Sequence, residues 1–133
     1  MPLLLEIVTP ETKSFSGEVE SVVVPGIEGE LGILPGHAAL MTKLDPGELR
    51  VTQAGQEIRL AVGGGFVEVV DDRVSVLTDM AVREDEIDES AAEEAMRRAE
   101  EAMRDKHLSG EEHATVQASL QKSLAQLRVK RRR

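Results

Sequence analysis

The chain has 133 residues, of which 41% are apolar, and a formal net charge of −9 at pH 7. This length predicts one domain, or a small domain with an appendage, and Phe15 and Phe66 are its only aromatic residues, so its core must be aliphatic. The lack of cysteine excludes disulfides and thiolate metal sites and fits a reducing compartment. No apolar run approaches the ~20 residues that span a bilayer, so we expect membrane association only through a partner.

The charge is divided unevenly along the chain. Residues 1–87 hold 16 acidic and 6 basic residues, whereas residues 88–133 hold 9 acidic and 10 basic residues. An acidic body disfavours nucleic acid, whose phosphates need a basic face. The chain nevertheless ends in a basic tail, Arg128, Lys130, Arg131, Arg132 and Arg133. Such a tail is either a solvated end or a binding segment for an acidic protein surface.

The first half of the chain, residues 1–84, carries strand signals. Apolar, β-branched or alternating runs occur at residues 19–24, 49–52, 58–62, 66–70 and 74–77. Turn residues at 53–56 and 71–73 separate them as hairpin connections. Short strands about ten residues apart predict an antiparallel β-sandwich or barrel with one buried face per strand.

One stretch in this half, residues 29–37 with the sequence GELGILPGH, combines turn residues with apolar ones. We predict a loop here because glycine and proline punctuate it. Ile33 and Leu34 then either fill the end of the sandwich core or wait for a partner, and the residues alone leave both open. His37 is not at metal-ligand spacing from another histidine.

The second half, residues 85–133, has the period of helices. Asp88 is a predicted N-cap, and alanines at 91 or 92, 95, 99 and 102 form one stripe. Ser109 and Glu112 form a predicted capping box for a second helix, whose stripe is Val116, Leu120, Leu124 and Leu127. The fold class is therefore α+β, an N-terminal antiparallel β-sandwich followed by a C-terminal antiparallel two-helix hairpin. An alanine face buries little area, so we expect the hairpin to be loosely held.

The residues offer no positive sign of catalysis. The triple glycine at residues 63–65 lacks the spacing of a phosphate loop and precedes a strand, which favours a close approach within a sheet. No nucleophile has a base beside it, and the histidines have no cysteine to complete a metal site. We expect neither an enzyme nor a bound metal.

Four stretches together resemble the epsilon subunit of the rotary F-type ATP synthase. They are FSGEVE at 15–20, EGELGILPGHA at 28–38, GGFVEV at 64–69 and AQLRV at 125–129. This resemblance implies a non-catalytic central-stalk subunit that binds the gamma subunit and the c-subunit ring and couples proton flow to ATP synthesis. It also implies C-terminal helices that extend into the catalytic alpha/beta head and inhibit ATP hydrolysis. The expected location is the cytoplasmic side of a bacterial membrane, or the stromal side of a plastid thylakoid.

The resemblance also assigns candidate contact residues. Glu30 and His37 match positions that face the ring, and Ile33 and Leu34 lie between them. The basic tail matches the helix that meets an acidic segment of the catalytic beta subunit when the hairpin extends.

The chain departs from the family members that bind ATP on the hairpin. Asp88 and Arg98 are retained, but Ala91 stands where those members carry arginine. Alanine cannot replace the charge-assisted contacts of a guanidinium, so we expect no cofactor and weak ATP binding at most. The alternative function is a free-standing β-sandwich adaptor whose tail recruits an acidic protein.

Overall fold

The computed structural model describes residues 2–132 as strands followed by helices. The ten strands are β1 (Leu3–Val8), β2 (Lys13–Val19), β3 (Ser21–Gly26), β4 (Gly29–Ile33), β5 (Leu40–Leu44), β6 (Gly47–Gln53), β7 (Gln56–Val62), β8 (Gly65–Val70), β9 (Arg73–Thr78) and β10 (Ala81–Arg83). A short 3-10 turn, Glu84–Glu86, leads to α1 (Glu89–Ala102) and α2 (Gly110–Arg131).

The strands form one sheet that wraps around a single core. Its order is β10-β7-β6-β3-β5-β8-β9-β1-β2, with β4 added to β3. The described pairs are antiparallel except β1 with β9, which is parallel. The core is aliphatic except for Phe15, and its largest fully buried side chains include Leu3, Leu5, Ile7, Leu49 and Leu60. The predicted β-sandwich followed by two helices is confirmed.

Five strands, β1, β2, β4, β5 and β10, were not predicted. Strand β1 alternates Leu3, Leu5 and Ile7 into the core, while Leu4 between them is exposed. Residues 29–33 of the expected loop are strand β4, which pairs with β3 from Val22↔Ile33 to Gly26↔Gly29. The loop prediction is therefore wrong for these residues. Gly29 and Gly32 lie within the strand and keep their pairing with β3, while Pro35 and Gly36 follow its end.

The predicted tight turns are confirmed. Ala54 and Gly55 connect β6 to β7 with φ values of 52° and 76°. Asp71 and Asp72 connect β8 to β9 with φ values of 48° and 61°. Positive φ at both central residues gives the twist that a two-residue hairpin needs. A Cβ added at Gly65 would lie 1.8 Å from the Leu77 carbonyl oxygen, so the close approach expected within residues 63–65 is also confirmed.

Both predicted helix starts are confirmed. The Asp88 carboxylate accepts the Ala91 N–H at 3.0 Å and caps α1. The Ser109 hydroxyl accepts the Glu112 N–H at 3.0 Å, and Glu112 accepts the Ser109 N–H at 3.3 Å. These caps satisfy backbone donors that each first turn leaves free.

The helices pack against each other and against the sheet. Ala92 and Ala99 are the buried members of the α1 stripe. The buried residues of α2 are Ser123, Ala125, Leu127 and Val129. Leu127 of its predicted stripe is thus buried, and Val116, Leu120 and Leu124 are half-buried. Helix α2 lies between α1 on one side and β6 and β7 on the other, which also buries residues outside the predicted stripe. Ala125 and Val129 form a small second core with Ala61 and Ile87.

Candidate partner-binding surfaces

Strand β4 forms an edge of the sheet and carries Glu30. Among the described residues β4 pairs only with β3. The Glu30 side chain is 59% exposed, and its Oε2 lies 2.7 Å from Nη1 of Arg50 on β6. The hydrogen bond and charge of Arg50 hold the pKa of Glu30 below its ordinary value of 4.5. Glu30 is thus a charged side chain, ionised at neutral pH, on an exposed edge.

The neighbouring candidates, Ile33 and Leu34, have opposite environments. Ile33 ends β4 with 0% exposure, packed in the sandwich core. Leu34 begins the following turn and is 62% exposed. Because Ile33 is buried, it is no longer a candidate contact residue. Of the two roles that the sequence left open, Ile33 fills the end of the sandwich core. Leu34 remains available to a partner.

His37 is half-buried in the turn between β4 and β5. Its backbone N–H donates to the Leu34 carbonyl at 3.1 Å, which closes the turn. Its ring Nδ1 lies 2.7 Å from the Ala38 carbonyl oxygen. The Gly36 N–H donates to the Asp72 carboxylate at 2.7 Å and ties this turn to the β8–β9 hairpin. The structure shows no contact between His37 and Glu30, which lie near opposite ends of β4.

A second surface is formed by exposed apolar residues on the outer face of β5, β8, β9 and β1. We name it the apolar sheet face and define it by Leu4, Met41, Phe66, Val70 and Leu77. Phe66 and Leu77 are directly paired across β8 and β9 and are 47% and 52% exposed. Charged side chains lie among them, since Met41 is paired with Glu68 and Val70 with Arg73. Exposed apolar side chains that neighbour one another, as Phe66 and Leu77 do, are typical of a protein interaction site.

The basic tail folds back onto the chain. Arg131 Nε lies 2.8 Å from Glu89, and its Nη2 lies 2.9 Å from Glu93, so α2 is tied to the start of α1. The hydrogen bond that Arg131 donates to Glu89, followed by the one it donates to Glu93, raises the pKa of the Arg131 guanidinium. Lys130 Nζ donates to the Glu84 carbonyl at 3.3 Å. Arg128 is exposed, and Arg133 lies outside the described residues.

The last described residue, Arg132, reaches the sandwich. Its Nη1 pairs with Oε1 of Glu48 on β6, a carboxylate only 8% exposed. The same Oε1 lies 3.0 Å from Nη1 of Arg50. The second oxygen, Oε2, is buried and has no hydrogen-bond partner among the described residues. A cleft of about 680 Å³ opens here, lined by residues that include Glu30, Glu48, Arg128, Arg131 and Arg132.

The candidate nucleotide residues do not assemble into a site. Asp88 is engaged as the α1 cap. Ala91 and Arg98 are exposed on α1, and no contact among the described residues joins Arg98 to Asp88. Within residues 2–132 no cluster of three His, Cys, Asp or Glu side chains could hold a metal ion.

No helix among the described residues is long and apolar enough to cross a membrane.

Sequence reasoning missed the roles of Glu48 and Arg50. Arg132 meets Glu48 across 84 residues of chain, a separation that no local pattern reveals. The strand pattern itself carries no signal for this pair, since alternation sends Leu49 and Val51 into the core and Glu48 to the outer face. Glu48 is buried because α2 lies across β6.

Comparisons with known proteins identify both regions. Residues 2–84 match the family model of the ATP synthase delta/epsilon chain β-sandwich domain. Residues 85–131 match that of the delta/epsilon chain long alpha-helix domain. The ATP synthase epsilon chain of Dehalococcoides mccartyi is 50% identical over 131 residues, covering 98% of this chain and 94% of that one. That of Herpetosiphon aurantiacus is 46% identical over 129 residues, covering 97% and 94%.

Solved structures agree in fold. A chain of the Euglena gracilis mitochondrial ATP synthase, seen by cryo-EM with OSCP, F1 and c-ring, superposes with a TM-score of 0.75 at 24% identity, covering 93% of this chain and 78% of that one. A chain of the Tetrahymena thermophila mitochondrial ATP synthase central stalk and c-ring gives a TM-score of 0.64 at 13% identity, covering 98% and 97%.

Fold and surfaces define a protein-binding subunit in which a β-sandwich carries a helical hairpin. The chain belongs to the ATP synthase delta/epsilon chain family, and the relatives from Dehalococcoides mccartyi and Herpetosiphon aurantiacus are epsilon chains. Membership confirms the resemblance to epsilon subunits and makes the chain a non-catalytic subunit of the F-type ATP synthase. The adaptor alternative is thereby set aside.

Proposed function

We propose that the chain joins the central stalk through two surfaces of the sandwich and regulates ATP hydrolysis through the hairpin. The apolar sheet face is the observation that carries this proposal. A soluble monomer rarely leaves such residues side by side on a sheet, and here Phe66 and Leu77 form a directly paired centre. We assign this face to the gamma subunit, because a buried apolar contact gives the more stable of the two attachments.

A binding assay with purified gamma subunit tests the assignment. Phe66→Glu places a charge at the centre of the apolar sheet face and should weaken binding at least ~10-fold, since burying an unpaired charge is costly. Ile27→Glu is the matched control, because Ile27 is 55% exposed but lies in the β3–β4 turn, outside that face. Equal loss in both variants, or none in Phe66→Glu, would contradict the assignment.

We assign the edge formed by β4 and the turn after it to the c-subunit ring. This edge carries, in chain order, the charge of Glu30, the exposed apolar side chain of Leu34 and the half-buried ring of His37. An exposed strand edge with a charged residue avoids pairing with stray strands and leaves side chains free for a specific partner.

Cysteine cross-linking in the assembled enzyme tests this edge. The chain has no cysteine of its own, so Glu30→Cys, Leu34→Cys and His37→Cys each introduce a single thiol. Each should cross-link to a cysteine in a ring loop, whereas Glu57→Cys on β7 should not. Cross-links from the edge positions only to gamma would move this edge to the gamma interface.

We propose that the hairpin inhibits ATP hydrolysis when it leaves the sandwich and enters the alpha/beta head. Its attachment supports this: α2 packs on the sheet through a small core that includes Ala61, Ala125 and Val129, supplemented by the ion pair of Arg132 with Glu48. Basic residues that pair internally in the docked state become free for an acidic beta-subunit segment after release. The net effect of these basic residues on inhibition is the difference in free energy between their ion pairs with the beta subunit and their internal ion pairs.

ATP is not part of the proposed mechanism. With Ala91 in place of arginine and Asp88 engaged as a cap, calorimetric titration of the chain with ATP should show no binding in the micromolar range. Micromolar binding would contradict this and implicate Arg98 with the basic tail.

We place the subunit on the cytoplasmic side of a bacterial membrane, held there by the complex. The similar curated chains come from bacteria such as Dehalococcoides mccartyi and Herpetosiphon aurantiacus. Recovery of the chain in a membrane fraction that also contains the other ATP synthase subunits, and its release with them, would test this location.

A further inference from the structure

Four charged side chains run without a break from the β4 edge to the end of α2. Glu30 contacts Arg50 at 2.7 Å, Arg50 contacts Glu48 at 3.0 Å, and Glu48 contacts Arg132. We name this series the charge relay. It joins the edge assigned to the ring with the last described residue of the hairpin.

The geometry makes the pairs compete. A single nitrogen of Arg50, Nη1, serves both Glu30 and Glu48. A single oxygen of Glu48, Oε1, serves both Arg50 and Arg132, while its Oε2 is buried without a partner. A guanidinium has five N–H donors, so Arg50 can satisfy more of Glu48 once Glu30 no longer holds it.

We propose that the charge relay couples the occupancy of Glu30 to the docking of the hairpin. A cationic group of the partner that engages Glu30 frees Arg50 to pair fully with Glu48. Arg132 then loses its hydrogen bond to the Glu48 carboxylate, and the hairpin detaches more readily. Only the identity of the partner at Glu30 rests on the proposed function.

A second effect acts in the same direction. The Glu30 charge attracts Arg132 through space, and Arg132 contributes to the lowered pKa of Glu30. Neutralising Glu30 removes this attraction and leaves Arg50 and Arg132 as two like charges around one carboxylate. Both effects predict that loss of the Glu30 charge weakens the docked state.

Spin labels on the full-length chain measure the coupling. Gln56→Cys on β7 and Ala118→Cys on α2 are both exposed and are the only thiols in the labelled chain. Their distance distribution by double electron–electron resonance gives the ratio of detached to docked hairpin. Amide hydrogen exchange of α2 gives the same ratio when the detached state is rare.

The expected result is a thermodynamic cycle with strong coupling. Arg132→Gln should raise the detached-to-docked ratio about fivefold and Glu30→Gln about twofold, in the range of ion pairs that are partly exposed. Glu30→Gln should add nothing in the Arg132→Gln background, and Arg132→Lys should restore part of the docking. Glu28→Gln and Arg97→Gln are matched controls and should leave the ratio unchanged, since both residues are exposed and neither forms an ion pair within residues 2–132.

Two results would overturn the proposal. One is an unchanged ratio in Glu30→Gln; the other is a Glu30→Gln effect that persists in full without the Arg132 charge. The inhibitory function has a separate test. It fails if removal of residues 88–133 leaves ATP hydrolysis by the assembled enzyme unchanged. The isolated-chain measurement is independent of that outcome.

Discussion

The sandwich and the hairpin are stabilised by different kinds of interaction. The sandwich encloses one continuous core of large aliphatic side chains supplied by strands far apart in sequence. The hairpin is attached by a small second core, Ala61, Ile87, Ala125 and Val129, and by the ion pair of Arg132 with Glu48. Since exposed ion pairs contribute only ~0–1 kcal/mol each, the hairpin can detach while the sandwich stays folded.

The difference matches the roles proposed for the two regions. A subunit that turns with a rotor needs a rigid body to transmit torque, and a close-packed core supplies this rigidity. A regulatory element needs two states of similar free energy. The small residues and polar contacts around α2 keep the free energies of the docked and detached states similar.

The largest contrast should appear between two leucine truncations. Leu49→Ala removes a fully buried side chain of the sandwich and should lower the free energy of unfolding by ~2–5 kcal/mol. Leu127→Ala removes a buried side chain of α2, but its effect on the sandwich is limited to the free energy of hairpin docking. Urea unfolding followed by hydrogen exchange measures both. Equal losses of sandwich stability would show that the regions unfold together.

A smaller effect is expected from the helix caps. Asp88→Ala and Ser109→Ala each remove a side-chain acceptor that the structure shows, and each should destabilise the hairpin by ~1 kcal/mol. Hydrogen exchange of α1 and α2 should accelerate, with that of β6 unchanged. Ser90→Ala serves as the control, because Ser90 makes no side-chain hydrogen bond among the described residues. A cap variant no different from this control would contradict the prediction.

The smallest effect concerns pH. Arg50 lowers the pKa of Glu30 below 4.5 in the folded chain, so the ion pair stabilises the fold at neutral pH. This contribution falls away as the pH drops from 4.5 through the lowered pKa. Glu30→Gln should therefore reduce stability by less than ~1 kcal/mol at pH 7 and by nothing at pH 2. Unfolding at both pH values, with Glu28→Gln as control, measures it; a loss that persists at pH 2 would contradict the prediction.

Local chemistry predicted the elements that depend on few neighbouring residues. The Asp88 and Ser109 caps and the turn at residues 53–56 follow from side chains within three positions of one another. Strand β4 was not predicted because its glycines are typical of a turn. Only the fold shows that β3 lies beside these residues and pairs with their backbone N–H and C=O groups.

Surfaces proved harder to predict than elements. Ile33 and Leu34 are adjacent and equally apolar, yet strand alternation buries one and exposes the other. The pairing of Glu48 with Arg132 depends on how α2 lies across β6, which only the assembled fold determines. The apolar sheet face likewise requires the register of β8 with β9.

The central claim is that the sandwich anchors the subunit and that the hairpin is a detachable regulator. The most direct test is the rate of ATP hydrolysis by the enzyme reassembled with a chain ending at residue 87. The truncated chain should bind with full stoichiometry, support ATP synthesis and raise hydrolysis above that of the enzyme with the full-length chain. Hydrolysis at the full-length rate, or failure of the truncated chain to assemble, would contradict the account.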